Sequence, residues 1–159
     1  GSRDPPVRQA AVAAFGRVAA RADESAIAVV TGCLGDPSAQ VRQAALGALA
    51  EVAGAGDEAA IAAAGWHLDD PDVAARQSAA GALVALAGRG QAVASLLARL
   101  EHPAADVRQR GLEALAVAAE RGSEQALAAA SARLADGDGR VRQAAAQAVL
   151  ALADRGDER

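Results

Sequence analysis

Asp36-Pro37-Ser38-Ala39-Gln40-Val41-Arg42-Gln43-Ala44-Ala45-Leu46-Gly47-Ala48-Leu49-Ala50-Glu51-Val52 decides how the whole chain is read, because it recurs. The pair Arg-Gln stands at 8–9, 42–43, 76–77, 108–109 and 142–143, so its arginines are 34, 34, 32 and 34 residues apart. Self-similarity at a period of this size marks stacked repeats, each too small to bury its apolar face alone. At about 100° per residue, Val41, Ala45, Ala48, Leu49 and Val52 fall on one side of a helix. Gln43, Gly47 and Glu51 fall on the other.

Working outward, the pattern predicts a long helix B at each Arg-Gln segment: Asp4 to Ala20, Asp36 to Val52, Pro71 to Ala87, Pro103 to Ala119 and Gly137 to Ala153. Asp followed by Pro is the expected start signal, Asp as N-cap and Pro in the first turn. A shorter helix A is predicted between them, over Glu24 to Leu34, Glu58 to Leu68, Gln91 to Leu100 and Glu124 to Leu134. Ile27, Val30 and Leu34 share one face of the first. The 32-residue step comes from two residues missing at Gly88-Arg89-Gly90, a loop, where deletion is tolerated. The expected architecture is one array over residues 4–159, a B helix followed by four A–B pairs and so about nine helices, with Gly1-Ser2 read as a tag remnant.

Neither end of this pattern is clean. The first A helix is missing, and Gly156-Asp157-Glu158 repeats the Gly56-Asp57-Glu58 that opens an A helix. Val7, Ala11, Phe15 and Val18 would leave an apolar face open, whereas terminal repeats normally carry polar caps. End-to-end self-association through the uncapped repeats, or excision from a longer array, is the expectation.

Composition agrees with an all-α chain. Hydrophobic residues make up 52% but aromatics 1%, so the core closes through Ala, Val and Leu rather than large plugs; Ala is also the best helix former. The net charge of −4 offers no basic stripe for a phosphate backbone, which speaks against nucleic acid. One Cys excludes an internal disulfide. No run reaches the ~18 apolar residues of a membrane span. No signal-peptide pattern opens the chain, and a cytoplasmic protein is expected.

The period alone also suits tetratricopeptide and ankyrin repeats, but the aromatic positions of the one and the Thr-Pro-Leu-His of the other are absent. What is present, Asp-Pro-x-x-x-Val-Arg-x-Ala-Ala-x-x-Ala-Leu, resembles the short HEAT-like repeats found in phycobilin lyases and many bacterial proteins. Asp36 to Leu49 matches throughout. Asp70 to Leu83 has Ala75 for Val and Ser78 for Ala; the copy at 102 has His102 for Asp and Arg110-Gly111 for Ala-Ala; the copy at 136 has Gly137 for Pro and Val149 for Leu. The resemblance implies a right-handed α-solenoid whose B helices line an inner, concave surface. It also implies that the Arg column bonds the Asp residues or carbonyls of neighbouring loops, as a ladder.

On that reading the concave surface carries Gln9, Gln43, Gln77, Gln109 and Gln143, with Gly47, Gly81, Glu113 and Gln147 beside them and Glu51 beyond. Arg110 stands where other copies have Ala or Ser. Gln offers a donor and an acceptor, suited to a partner's backbone amides. Gly47 and Gly81 are costly inside helices; they either admit a close-packed neighbour, which is the expectation, or leave a shallow groove for a ligand. Trp66, the single Trp, replaces small residues on helix A, away from its core side; it is either an interface anchor or a gap filler. The candidate partner-binding residues are therefore Gln43, Glu51, Gln77, Gln109, Arg110, Glu113, Gln143, Gln147 and Trp66.

Catalytic chemistry finds no support. His67, Asp69 and Asp70 lack a second imidazole or thiolate for zinc. Cys33 and His67 lack an orienting third group, and the glycines stand singly at helix ends rather than in a phosphate loop. No catalytic, metal or cofactor site is assigned, and no enzyme is expected. The function implied is a protein-binding scaffold using the concave helix-B surface. The alternative, by family analogy, is a lyase-like subunit or chaperone that holds a bilin or its carrier protein.

Overall fold

The computed structural model describes residues 3–153. Among them are nine α-helices: α1 Pro5–Val18, α2 Glu24–Cys33, α3 Ala39–Val52, α4 Glu58–Trp66, α5 Val73–Ala87, α6 Arg89–Leu100, α7 Ala105–Ala118, α8 Glu124–Ala132 and α9 Gly139–Leu152. Odd numbers are the B helices and even numbers the A helices. Short 3-10 turns, His67–Asp69 and Arg133–Ala135, extend α4 and α8. The second Gly-Asp-Glu segment, at 156–158, lies outside the described residues.

The chain divides into two compact units, Gly1–Gly88 and Arg89–Arg159. In the first, α2 packs on α3 and α4 on α5, while α1, α3 and α5 lie side by side. In the second, α6 packs on α7 and α8 on α9, with α7 beside α9. This is solenoid-type stacking of helical hairpins within each unit, as the period predicts.

The core is aliphatic and small. Val41, Ala45, Leu46, Ala48, Leu49 and Val52 are all buried on α3, as are Leu112, Ala114, Leu115 and Ala118 on α7. On helix A, Val30, Leu34, Leu68, Leu96 and Leu100 are buried as expected, and only the first core position is turned by one residue. Ala26, Ala60, Ala92 and Ala126 are fully buried, whereas Ile27 and Ile61 are only half-buried. A methyl at that position lets the hairpin close, and the bulkier neighbour moves to the edge.

The expected start of helix B needs correction. Apart from α1, the helix begins two to three residues after the Asp-Pro pair, with Ser38, Asp72, Ala104 and Asp138 at the N-cap. The earlier Asp is used in the turn itself. Asp36 Oδ1 accepts from Ser38 N at 2.8 Å, Asp70 Oδ1 from Asp72 N at 2.8 Å and Asp136 Oδ1 from Asp138 N at 3.0 Å. His102 reproduces this turn with Nδ1, which accepts from Ala104 N at 3.1 Å.

A second set of bonds ties each B-to-A loop to the next B helix. The N–H of Ala22 donates to Val52 O at 2.6 Å, Gly56 N–H to Leu86 O at 2.8 Å and Gly122 N–H to Leu152 O at 2.7 Å. These three residues have φ of 61°, 83° and 75°, the left-handed region that turns the N–H outward. Each bond satisfies one carbonyl of a helix end that has no partner within its helix. Where two residues are deleted, Gly88 alone separates the end of α5 from the start of α6 and this loop N–H is lost. Arg89 Nη1 donates instead to Ala118 O, the equivalent carbonyl on α7, at 2.9 Å.

Candidate partner-binding surface

The Arg column is consumed by the fold. Arg42 lays Nε and Nη2 on the two oxygens of Asp70, both at 2.7 Å, while Nη1 takes the carbonyls of Asp36 and Pro37 at 2.9 and 3.2 Å. Arg8 forks onto Asp36 at 2.8 and 2.9 Å, and Arg108 onto Asp136 at 2.9 and 2.8 Å. The carboxylate partner is thus the Asp 28 residues ahead, and the Asp six residues back supplies only its carbonyl. Planar two-point contacts of this kind are strong and directional. The Arg42 fork and the Asp72 N–H hold Asp70 well below the usual carboxylate range, at about 2. The Arg108 fork does the same for Asp136, also at about 2. His67 Nδ1 lies 3.2 Å from Asp70 Oδ2, behind the same rung. Among the described residues no group of three or more His, Cys, Asp or Glu is assembled that could hold a metal ion.

The opposite side of helix B carries most of the remaining candidate residues. In the first unit, Gln43, Gly47 and Glu51 on α3 and Gln77, Gly81 and Ala85 on α5 are exposed. In the second unit, α7 presents Gln109, Arg110, Glu113 and Val117, and α9 presents Gln143, Gln147 and Ala151. Gln109 and Glu113 are half-buried and joined by a bond of 3.0 Å from Nε2 to Oε1. Arg110 lies 3.9 Å from Asp106 on the same helix. The first unit therefore offers small residues and amides with one carboxylate, and the second offers both charges.

Two expectations resolve against packing. A Cβ on Gly47 or Gly81 would meet nothing within 4 Å, so neither glycine admits a neighbour; both open onto solvent. Gly16 does so, where a Cβ would lie 2.6 Å from Ala48 Cβ and 2.8 Å from Ala48 Cα, and so, less tightly, does Gly111, at 3.1 Å from Leu100 Cδ2 and 3.2 Å from Arg99 Cβ. Trp66 is 81% exposed at the C-terminal end of α4, which excludes a gap-filling role. It stands on a helix A, so the fold does not bring it onto the helix-B faces with Gln43, Glu51 and Gln77.

Sequence reasoning missed the groove between α1 and α2, lined by Ala11, Val12, Phe15, Val29, Val30 and Cys33. Burial pushes the Cys33 thiol up, with Asp36 adding to the effect. The signal was available, since Val7, Ala11, Phe15 and Val18 form an apolar strip on α1. Among the described residues no helix is long and apolar enough to cross a membrane.

Residues 1–84 match a family model described as HEAT repeats. No curated protein matches the chain. Among solved structures, a designed armadillo repeat protein in complex with the peptide (KR)4 is similar at 17% identity, with a TM-score of 0.46, over 95% of this chain and 77% of that one.

Proposed function

The chain belongs to the HEAT-repeat family, and from that premise we propose that it is a non-catalytic scaffold whose protein partner lies along the exposed faces of the B helices. One observation carries this reading. Arg8, Arg42, Arg76 and Arg108 are withdrawn into the loops, while Gln43, Gln77 and Gln143 remain exposed on helices buried along their other side. Amides fixed in this way meet a partner's main-chain N–H and C=O groups at low cost in side-chain order, because the helix already sets their spacing. Gly47 and Gly81 leave room for a partner backbone on the first unit. Arg110 and Glu113 supply charge selectivity on the second.

The test is affinity capture of a partner by the intact chain, followed by the double reversal Arg110→Glu with Glu113→Arg. Both side chains are only half-buried, so the variant folds with unchanged circular dichroism. Retention of the partner should fall about tenfold or more. Capture that is indifferent to this reversal and to Gln43→Ala with Gln77→Ala removes the helix-B faces as the binding site.

A further inference from the structure

Trp66 is 81% exposed, and the chain around it is short of positive charge. Between Arg21 and Arg76 stand nine Asp and Glu residues and one Arg, Arg42, whose Nε and Nη2 are held by Asp70. The whole chain has a net charge of −4, so its negative charge is concentrated in this stretch. The stretch contains α2 and α4, which lie beside each other in the first unit. Their first turns carry Glu24 and Glu58, both exposed and neither paired with a cation among the described residues.

First-turn carboxylates favour their own helix, and Glu124 stands at the same place on α8. What sets α2 and α4 apart is that neither carries an Arg. In the second unit α6 carries Arg89 and Arg99, and Arg133 follows α8. On α4 the exposed Ala59, Ala62 and Trp66 fall at i, i+3 and i+7, one stripe of the helix. Glu58 stands beside the start of that stripe, about 12 Å along the helix from Trp66. The outer side of α4 thus joins an uncovered indole, a shallow apolar surface and an unpaired carboxylate.

We propose that this side of α4 is a second docking surface, separate from the helix-B faces, and that its occupant is a basic amphipathic segment of a protein partner. Aliphatic side chains of that segment cover Trp66, Ala59 and Ala62. Its Lys or Arg side chains reach Glu58 and, on the neighbouring helix, Glu24. Charge selects this occupant. An exposed Trp also suits a membrane surface, but anionic headgroups attract Lys and Arg and are repelled by this stretch. An acidic partner is repelled in the same way. A Lys or Arg over the indole gains a cation–π contact as well. The indole supplies affinity, as Trp does in other interfaces, and the carboxylates supply selectivity.

Anisotropy of a dye-labelled peptide of Leu and Lys in helical spacing, titrated with the intact chain at low salt, tests this. Binding should saturate and should weaken as salt is raised. The same peptide with Glu for Lys should not bind. Trp66→Ala, at an exposed site that leaves the helical content unchanged, should weaken binding about tenfold or more. Glu24→Gln with Glu58→Gln should weaken it about threefold to tenfold. Glu124→Gln, the equivalent change in the second unit, should leave it unchanged. So should Gln43→Ala with Gln77→Ala, which keeps failure here distinct from failure of the helix-B faces. A peptide that does not bind overturns the proposal, as does binding indifferent to Trp66→Ala. Glu124→Gln weakening it as much as the paired change would mean that net charge alone is read, and also overturns it. So does retention of the chain by anionic vesicles through Trp66, or a dimer in sedimentation that Trp66→Ala abolishes, which would make a second copy the occupant.

Discussion

The two units are held by the same kinds of bond in different numbers, and the difference shows what a stack of small helices requires. The first unit has two consecutive Arg–Asp rungs, Arg8 to Asp36 and Arg42 to Asp70, and two loops closed by a backbone N–H, at Ala22 and Gly56. Among its described residues the second has one rung, Arg108 to Asp136, and one such loop, at Gly122. Its other loop was shortened, and the side chain of Arg89 took over the missing donor. Repeat register is set in the loops, by polar groups that must be satisfied where helices end. The donor need not be backbone, but a flexible, half-exposed Arg loses more freedom on being fixed than a peptide N–H does.

Removing the best-buried carboxylate breaks the comparison most severely. Asp70→Ala leaves the Arg42 fork without its partner and should cost about 3 kcal/mol, read by urea unfolding. Amide exchange should rise across α1 to α5, while α6 to α9 keep their protection. Asp136→Ala should invert that pattern. A stability loss spread evenly over both units would show that the rungs do not act locally.

The glycines separate packing from surface. Gly16→Ala drives a methyl into the α3 backbone and should destabilise by about 2 kcal/mol. Gly47→Ala, in open space on a helix, should stabilise by about 1 kcal/mol. Thermal melts that moved the same way for both would contradict the contrast in their surroundings.

Arg89→Ala tests the replaced donor. It leaves Ala118 O unsatisfied and should cost about 1–2 kcal/mol, with the added exchange confined to α6, α7 and the loop after them. Gly56→Ala, its counterpart in the first unit, strains a left-handed residue and should cost about 1 kcal/mol. If Arg89→Ala proves neutral, water serves that carbonyl equally well.

The mildest effect is with acid. The folded-state values of Asp70 and Asp136 are depressed from 3.8 to about 2, so their contribution is complete above 3.8 and disappears as the pH falls toward 2. Stability followed by circular dichroism should be flat in these groups near neutrality and should decline only in that window. The decline should shrink in Asp70→Ala.

Much of the architecture was legible because one period repeats five times and its apolar phase is helical. The Arg column was recognisable as structural from the resemblance to HEAT-like repeats. Less legible was anything decided by distance across helices. The partner of Arg42 is Asp70, 28 residues on, although Asp36 is nearer in sequence. The cap of α3 is displaced because Asp36 is occupied in the turn and by Arg8. Gly47 and Gly16 look alike as letters in a helix, and only the neighbouring helix distinguishes them. The helix-B residues Gln43, Gln77 and Gln143 could be placed on the surface from phase alone, whereas the bond joining Gln109 to Glu113 required side-chain geometry.

One consequence of the exposed indole is practical. Trp66 is the single tryptophan and projects into water in the native state, so its emission barely changes wavelength when the chain unfolds. Fluorescence is therefore a poor thermometer for this protein. It is a clean detector for any molecule that covers the outer side of α4, because a blue shift there has one possible source.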